Sequence, residues 1–226
     1  PPYGVSIVAA NVSVGGGEAY NIPFGGRKGF GSADASKPFG SKAVRGSDGA
    51  AHIVEVGKYP VIIGDENTDI AKKSYLYFSD KFKDAIQVWW GANYYTDAPL
   101  PPSQCWLVWN KETTGNFADC EIAFTNMDKA ARLFTHQWNG MLRDSEREKR
   151  WHPTQKPAAL VSWILKEFTK DDAVLFDPFA GAGWTVLAAE MTGRTAQVVE
   201  KLPAYVAVIF ERMITAFPAL DIHKIE

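Results

Sequence analysis

Ala173-Val174-Leu175-Phe176-Asp177-Pro178-Phe179-Ala180-Gly181-Ala182-Gly183-Trp184-Thr185-Val186 is the stretch on which the fold turns. Its apolar opening, 173–176, reads as a strand, Gly181-Ala182-Gly183 as a turn, and 184–191 as a helix stopped by Gly193. A second strand at 196–199 leads into a helix at 203–216. Strand, helix, strand, helix in this order calls for parallel strands joined by right-handed crossovers. The spacing therefore predicts an α/β fold: a doubly wound, mostly parallel, Rossmann-like sheet.

Such sheets bind ligands at the carboxyl ends of their strands, which makes 177–183 the candidate site. Glycines there let a ligand approach the backbone, and the following helix presents its positive N-terminus. Glu200 closes the next strand, where a carboxylate can accept both hydroxyls of a ribose. Together these features predict a nucleoside-containing cofactor. A nicotinamide oxidoreductase is the rival, but its Gly-x-Gly-x-x-Gly fingerprint lacks a third glycine here, because Trp184, Thr185 and Val186 follow Gly183.

Upstream, Leu160, Val161, Ile164, Leu165 and Phe168 recur at helical spacing after Pro157, predicting a helix to about 169. The charged stretch 143–150 reads as a solvated connection. Short buried strands are expected at 85–90, 105–109 and 121–125, with a helix at 68–82. From 11 to 57 the chain is rich in glycine and serine without periodicity, and reads as a long mobile insertion in one domain spanning 1–226. The abrupt Pro1-Pro2-Tyr3-Gly4 start is expected to lack a strand ahead of it.

A content of 46% hydrophobic residues suits one sizeable core. Neither a membrane-length apolar run nor a basic-then-apolar leader occurs, so a soluble, cytoplasmic protein is expected. Cys105 and Cys120 lack the His or Cys partners of a zinc site and read as buried thiols, and no metal is expected. The net charge of -2 excludes a histone-like, wholly electrostatic binder. Basic residues nevertheless gather at Arg27, Lys28, Lys37, Lys42 and Arg45 with Asp34 the one acid among them, which suits either phosphate contact or a solvated loop.

Three blocks carry a resemblance. Pro1-Pro2-Tyr3 resembles the end of the Asp-Pro-Pro-Tyr catalytic motif of DNA amino-methyltransferases; His152-Pro153-Thr154-Gln155-Lys156-Pro157 and Asp177 to Gly183 resemble their His-Pro-Thr-Gln-Lys-Pro and Asp-Pro-Phe-x-Gly-Ser-Gly motifs. Trp89-Trp90-Gly91-Ala92-Asn93-Tyr94-Tyr95 and Trp106-Leu107-Val108-Trp109-Asn110-Lys111 are similar too. With the catalytic block first and the cofactor block last, the order resembles that of the circularly permuted beta group, found in phages and restriction-modification systems.

The resemblance implies transfer of a methyl group from S-adenosylmethionine to the exocyclic amine of adenine (N6), or alternatively cytosine (N4), in double-stranded DNA. Pro1, Pro2 and Tyr3 would be catalytic, the Pro1 carbonyl accepting an amine N–H and Tyr3 stacking on a flipped base. Asp177, Pro178, Phe179, Gly181 and Gly183 would hold the methionine part of the cofactor, Glu200 its ribose, and Thr154, Gln155 and Lys156 its carboxylate. His152 would orient that block, whereas His52, His136 and His223 receive no role. Arg143 and Arg147, with Lys149 and Arg150, join Arg27, Lys28, Lys37, Lys42 and Arg45 as candidate DNA contacts. Two departures stand out: Ala182 replaces a Ser, and Trp184 stands where Thr is common, removing two hydroxyls and adding bulk at the cofactor mouth. With the motif Asp missing ahead of Pro1, the chain as written is expected to be inactive, and a non-catalytic remnant remains a rival. A homodimer is left open.

Overall fold

A computed structural model describes residues 6–9, 41–45, 51–55, 62, 67–113, 118–138, 143–146 and 150–223. Along the chain run β1 (Ser6–Ala9), β2 (Ser41–Arg45), β3 (Ala51–Glu55), α1 (Asp69–Lys81), β4 (Ile86–Trp90), β5 (Leu107–Asn110), β6 (Cys120–Thr125) and β7 (Arg132–Thr135). Then follow α2 (Ala158–Phe168), β8 (Val174–Asp177), α3 (Trp184–Met191), β9 (Thr195–Val198) and α4 (Pro203–Ala216).

Seven strands form one sheet in the order β7-β5-β6-β4-β1-β8-β9. The predicted crossover is there: β8 and β9 pair in parallel, Val174 opposite Thr195 through Asp177 opposite Val198, with α3 between them in sequence. β5 and β7 are parallel as well. β1 and β6 run against the rest, so each pair that contains one of them is antiparallel. By direction the sheet is mostly parallel; by adjacency the two reversed strands make most of its ladders antiparallel.

Helices cover both faces. Strand side chains alternate between faces, so Trp89 and Phe124 meet Ala71 and Tyr75 of α1, with the Tyr75 and Trp89 rings edge-on at 5.2 Å. Val88, Trp90, Leu107, Ala123 and Leu175 point the other way, into a larger core with Leu160, Val161, Ile164 and Leu165 of α2 and Leu187 and Ala188 of α3. Full burial of each large apolar chain contributes about 1.5–3 kcal/mol. Among the described residues no helix is long and apolar enough to cross a membrane.

Four expectations need correction. Part of the 11–57 insertion is ordered as an antiparallel ribbon, β2 with β3, because Ser41-Lys42-Ala43-Val44-Arg45 and Ala51-His52-Ile53-Val54-Glu55 flank the turn-forming Gly46-Ser47-Asp48-Gly49. β7 was not expected; it forms by adding a parallel edge to β5. Cys105 is buried but Cys120 is exposed, since it opens β6 where that strand enters the sheet. Finally, 143–150 is no mere solvated connection: Glu146 lies in a buried ion pair with Arg212, its side chain 12% exposed.

Candidate functional site

The predicted turn sits at the carboxyl end of β8. Asp177 is fully buried, and its carboxylate organises the turn by accepting the Phe179 backbone N–H at 2.9 Å and the Thr185 hydroxyl at 2.5 Å. Burial pushes its pKa up to about 6, against the lowering effect of hydrogen bonds from Thr185, Phe179 and Trp184, while Glu200 adds to the rise. The hydroxyl that Trp184 was expected to remove is thus supplied one residue later. Nor does Trp184 add bulk at the mouth, for its side chain is packed into the main core at 4% exposure.

Two further bonds tie this turn to the end of β9. Ala180 N–H donates to the Val199 carbonyl at 3.0 Å, and Gly181 N–H donates to Glu200 Oε2 at 2.9 Å. The other Glu200 oxygen accepts the Leu202 N–H at 2.7 Å. A carboxylate has about four acceptor positions, so Glu200 retains one on each oxygen for a vicinal diol. Gly181 and Gly183 adopt φ of 53° and 76°, a left-handed conformation that favours glycine. A Cβ at Gly181 would meet the His152 ring at 3.7 Å and the Phe179 carbonyl at 4.0 Å, ordinary contact distances that leave the turn uncrowded. Beside it Val199 offers an exposed apolar surface.

The 152–156 block packs against the same turn. His152 is buried and tilted over the Tyr205 ring at 4.5 Å. Its Nδ1 accepts the Thr154 backbone N–H at 3.1 Å, so the neutral ring carries its proton on Nε2. Gln155, also buried, is engaged at both ends of its amide: Oε1 accepts the Trp151 N–H at 2.8 Å and Nε2 donates to Glu146 Oε2 at 3.1 Å. Lys156 lies with its Nζ 3.2 Å from Glu121 Oε2 and 5.9 Å from the Trp184 ring centroid. Lys111 meets the other Glu121 oxygen at 3.1 Å. Burial pushes the Glu121 carboxyl up, but Lys156 and Lys111 more than offset this and hold it below the ordinary range. Two cations sharing one carboxylate give this cluster a surplus positive charge.

Folding therefore brings Thr154, Gln155, Lys156, Asp177, Pro178, Phe179, Gly181, Gly183 and Glu200 to one edge of the sheet. β1 begins at that edge too, Ser6 pairing with Trp89 near the carboxyl end of β4. Pro1, Pro2 and Tyr3 lie outside the described residues, as do Arg27, Lys28, Lys37 and Arg147. Lys42 and Arg45 belong to the β2 ribbon, and the Arg143 guanidinium stacks 5.4 Å from the Trp138 ring centroid. Residues that sequence reasoning did not single out include Thr185, Glu121, Lys111, Glu146 and Arg212. For Thr185 a signal was available, because a hydroxyl one residue past the usual position still faces the strand-end Asp.

A family model described as DNA methylase, of the N6 and N4 type, matches residues 56–211. The Escherichia coli (strain K12) protein YubD is 41% identical over 56 residues, 25% of this chain and 25% of that protein. Type II methyltransferase M.HindIII of Haemophilus influenzae (strain ATCC 51907 / DSM 11121 / KW20 / Rd) is 30% identical over 84 residues, 37% of this chain and 26% of that enzyme. These matches thus span only about a quarter of the curated relatives' length. The crystal structure of the M1.HpyAVI complex with SAM aligns at 22% identity and a TM-score of 0.40, covering 62% of this chain and 70% of that one.

Proposed function

The chain belongs to the N6/N4 DNA methylase family, and from that premise we propose that it transfers a methyl group from S-adenosylmethionine to adenine N6 in double-stranded DNA. The observation that carries the reading is the Gly181 N–H to Glu200 bond at 2.9 Å, which joins the glycine turn to the strand-end acid. The residues fit the cofactor. Glu200 keeps acceptor capacity for ribose hydroxyls, Gly181 leaves the turn open, and the Lys111–Glu121–Lys156 cluster has a surplus cation for a carboxylate.

When bound, S-adenosylmethionine supplies an electrophilic methyl carbon on a sulfonium. The protein's task lies with the amine, whose lone pair is delocalised into the base ring. Acceptors around its N–H bonds localise that pair; the Pro1 carbonyl would be one, and Tyr3 would stack on the flipped base. A tyrosine-ended block preceded by Asp is the more frequent adenine form, so the residue ahead of Pro1 decides between adenine N6 and cytosine N4. The sheet order supports membership of the permuted beta group, since β8 and β9, which precede the proposed cofactor turn and acid, come last among the strands of the chain, yet β8 sits next to β1 with β9 beyond it.

Calorimetry with S-adenosylmethionine tests the cofactor assignment. Wild type is expected to bind, and Glu200→Ala to weaken binding about tenfold or more, as loss of charged hydrogen bonds predicts. Protection from melting by NAD instead of S-adenosylmethionine would overturn it. Tritiated methyl transfer to unmethylated duplex, followed by nucleoside analysis, is expected to yield N6-methyladenine; N4-methylcytosine would reassign the target, and binding without incorporation would favour a non-catalytic domain.

A further inference from the structure

Glu146 and Arg212 lie outside the motif-like blocks, yet they connect the 152–156 block to the glycine turn. Arg212, on α4 and 4% exposed, donates through Nη1 to the Ala182 carbonyl and through Nη2 to Glu146 Oε2 at 2.6 Å. That carbonyl lies between two left-handed glycines, at the centre of the cofactor turn. Glu146 in turn accepts from Gln155 Nε2 at 3.1 Å and from the backbone N–H of Ala158, the first residue of α2. One carboxylate thus links α4, the 152–156 block and a helix N-terminus, whose free N–H groups it helps to satisfy.

Two observations argue for more than stability. Glu146 has a φ of 50°, a conformation disfavoured for any residue with a side chain, and such residues persist where their surroundings over-determine them. A buried ion pair is also a poor stabiliser, because desolvation offsets much of its attraction. We infer that Glu146 and Arg212 form a positioning pair that holds the 152–156 block against the glycine turn in the geometry cofactor binding requires. This rests on reading that turn as the S-adenosylmethionine site.

Arg194 provides a matched control. Its side chain is 3% exposed against 2% for Arg212, and it donates to the Leu165, Lys170 and Thr192 carbonyls, but it precedes β9, at the opposite edge of the sheet from Asp177. The test compares Glu146→Gln, Arg212→Lys, their double variant and Arg194→Gln by thermal melting and by calorimetric titration with S-adenosylmethionine. Lysine keeps the charge at 212 but cannot bridge two acceptors as a guanidinium does. Each site variant is expected to bind about tenfold more weakly, with the double variant no worse than the weaker single one, since either change breaks the same link. Arg194→Gln is expected to melt earlier with unchanged affinity. Should Arg212→Lys fail to fold, Glu146→Gln, which keeps the side chain's size and removes its charge, carries the test alone. Lower melting temperatures with wild-type affinity at 146 and 212, the Arg194 pattern, would overturn the pair's role while leaving the cofactor site intact. A wild-type chain that binds no S-adenosylmethionine would overturn the functional reading and the pair together.

Discussion

Burial, followed by the charges of Lys156 and Arg150, holds the His152 ring down at about 3 against an ordinary 6.5. Because the folded value lies below the unfolded one, unfolding takes up a proton between them. The ring's contribution to stability is complete above 6.5 and is lost as pH falls toward 3. One unit inside that window is worth about 1.4 kcal/mol, so the ring alone should remove about 2 kcal/mol between pH 7 and pH 5. Asp177 works in the opposite sense: raised from 3.8 to about 6, it destabilises the fold as pH rises through that interval and relieves it as pH falls. The overlap means that slopes must be compared between variants. In urea melts at the two pH values, His152→Asn, whose Oδ1 can replace Nδ1 as acceptor, should lose less stability than wild type on acidification. Equal losses would sink the assignment. None of this is visible in the letters of the block 152–157, which announce a motif but not which atoms it buries. The same holds for Cys105 and Cys120, alike in sequence and opposite in exposure.

At the scale of elements, the join between α3 and α4 is set by one missing side chain. Gly183 caps α3 at a φ of 76°, and a Cβ there would come within 2.9 Å of Ile209 Cγ1 on α4. Alanine would suffer both the left-handed backbone and the overpacking, a loss of roughly 2–4 kcal/mol. Gly183→Ala should therefore melt well below wild type, and the double variant with Ile209→Ala should lose less than the sum of the two single losses. Strict additivity of the two changes would show that the contact is not the cause. This glycine was legible as a turn former but not as a spacer between helices, because the neighbour that crowds it lies 26 positions away. Helices α2, α3 and α4 were legible to within a residue or two, since their apolar faces repeat over several turns. β7 was not: four residues, three of them exposed, show no alternation.

Over the whole molecule, the sheet's carboxyl edge gathers the residues proposed to hold the cofactor, while the run with a large surplus of cations over acids lies elsewhere in the chain. Between 27 and 45 there are Arg27, Lys28, Lys37, Lys42 and Arg45 against the single acid Asp34, in a protein whose net charge is -2. Composition could suggest that this run meets phosphates but not what shape presents it. Lys42 and Arg45 fall on β2, in register with Val54 and Ala51 of β3, and a two-stranded ribbon is an element that a DNA major groove admits. If these cations contact phosphates, each releases condensed counterions on binding, and the logarithm of affinity falls against the logarithm of salt by about 0.9 per contact. Replacing all five by glutamine preserves the backbone of the ribbon while removing the charges. The slope should then become shallower by about 2 to 4, with affinity lost most steeply at low salt. Binding to S-adenosylmethionine should be unchanged, since the residues proposed to hold it lie at the sheet's carboxyl edge. An unaltered salt slope, measured by fluorescence anisotropy on duplex DNA, would return 27–45 to the status of a solvated loop and send the search for phosphate contacts to other surfaces.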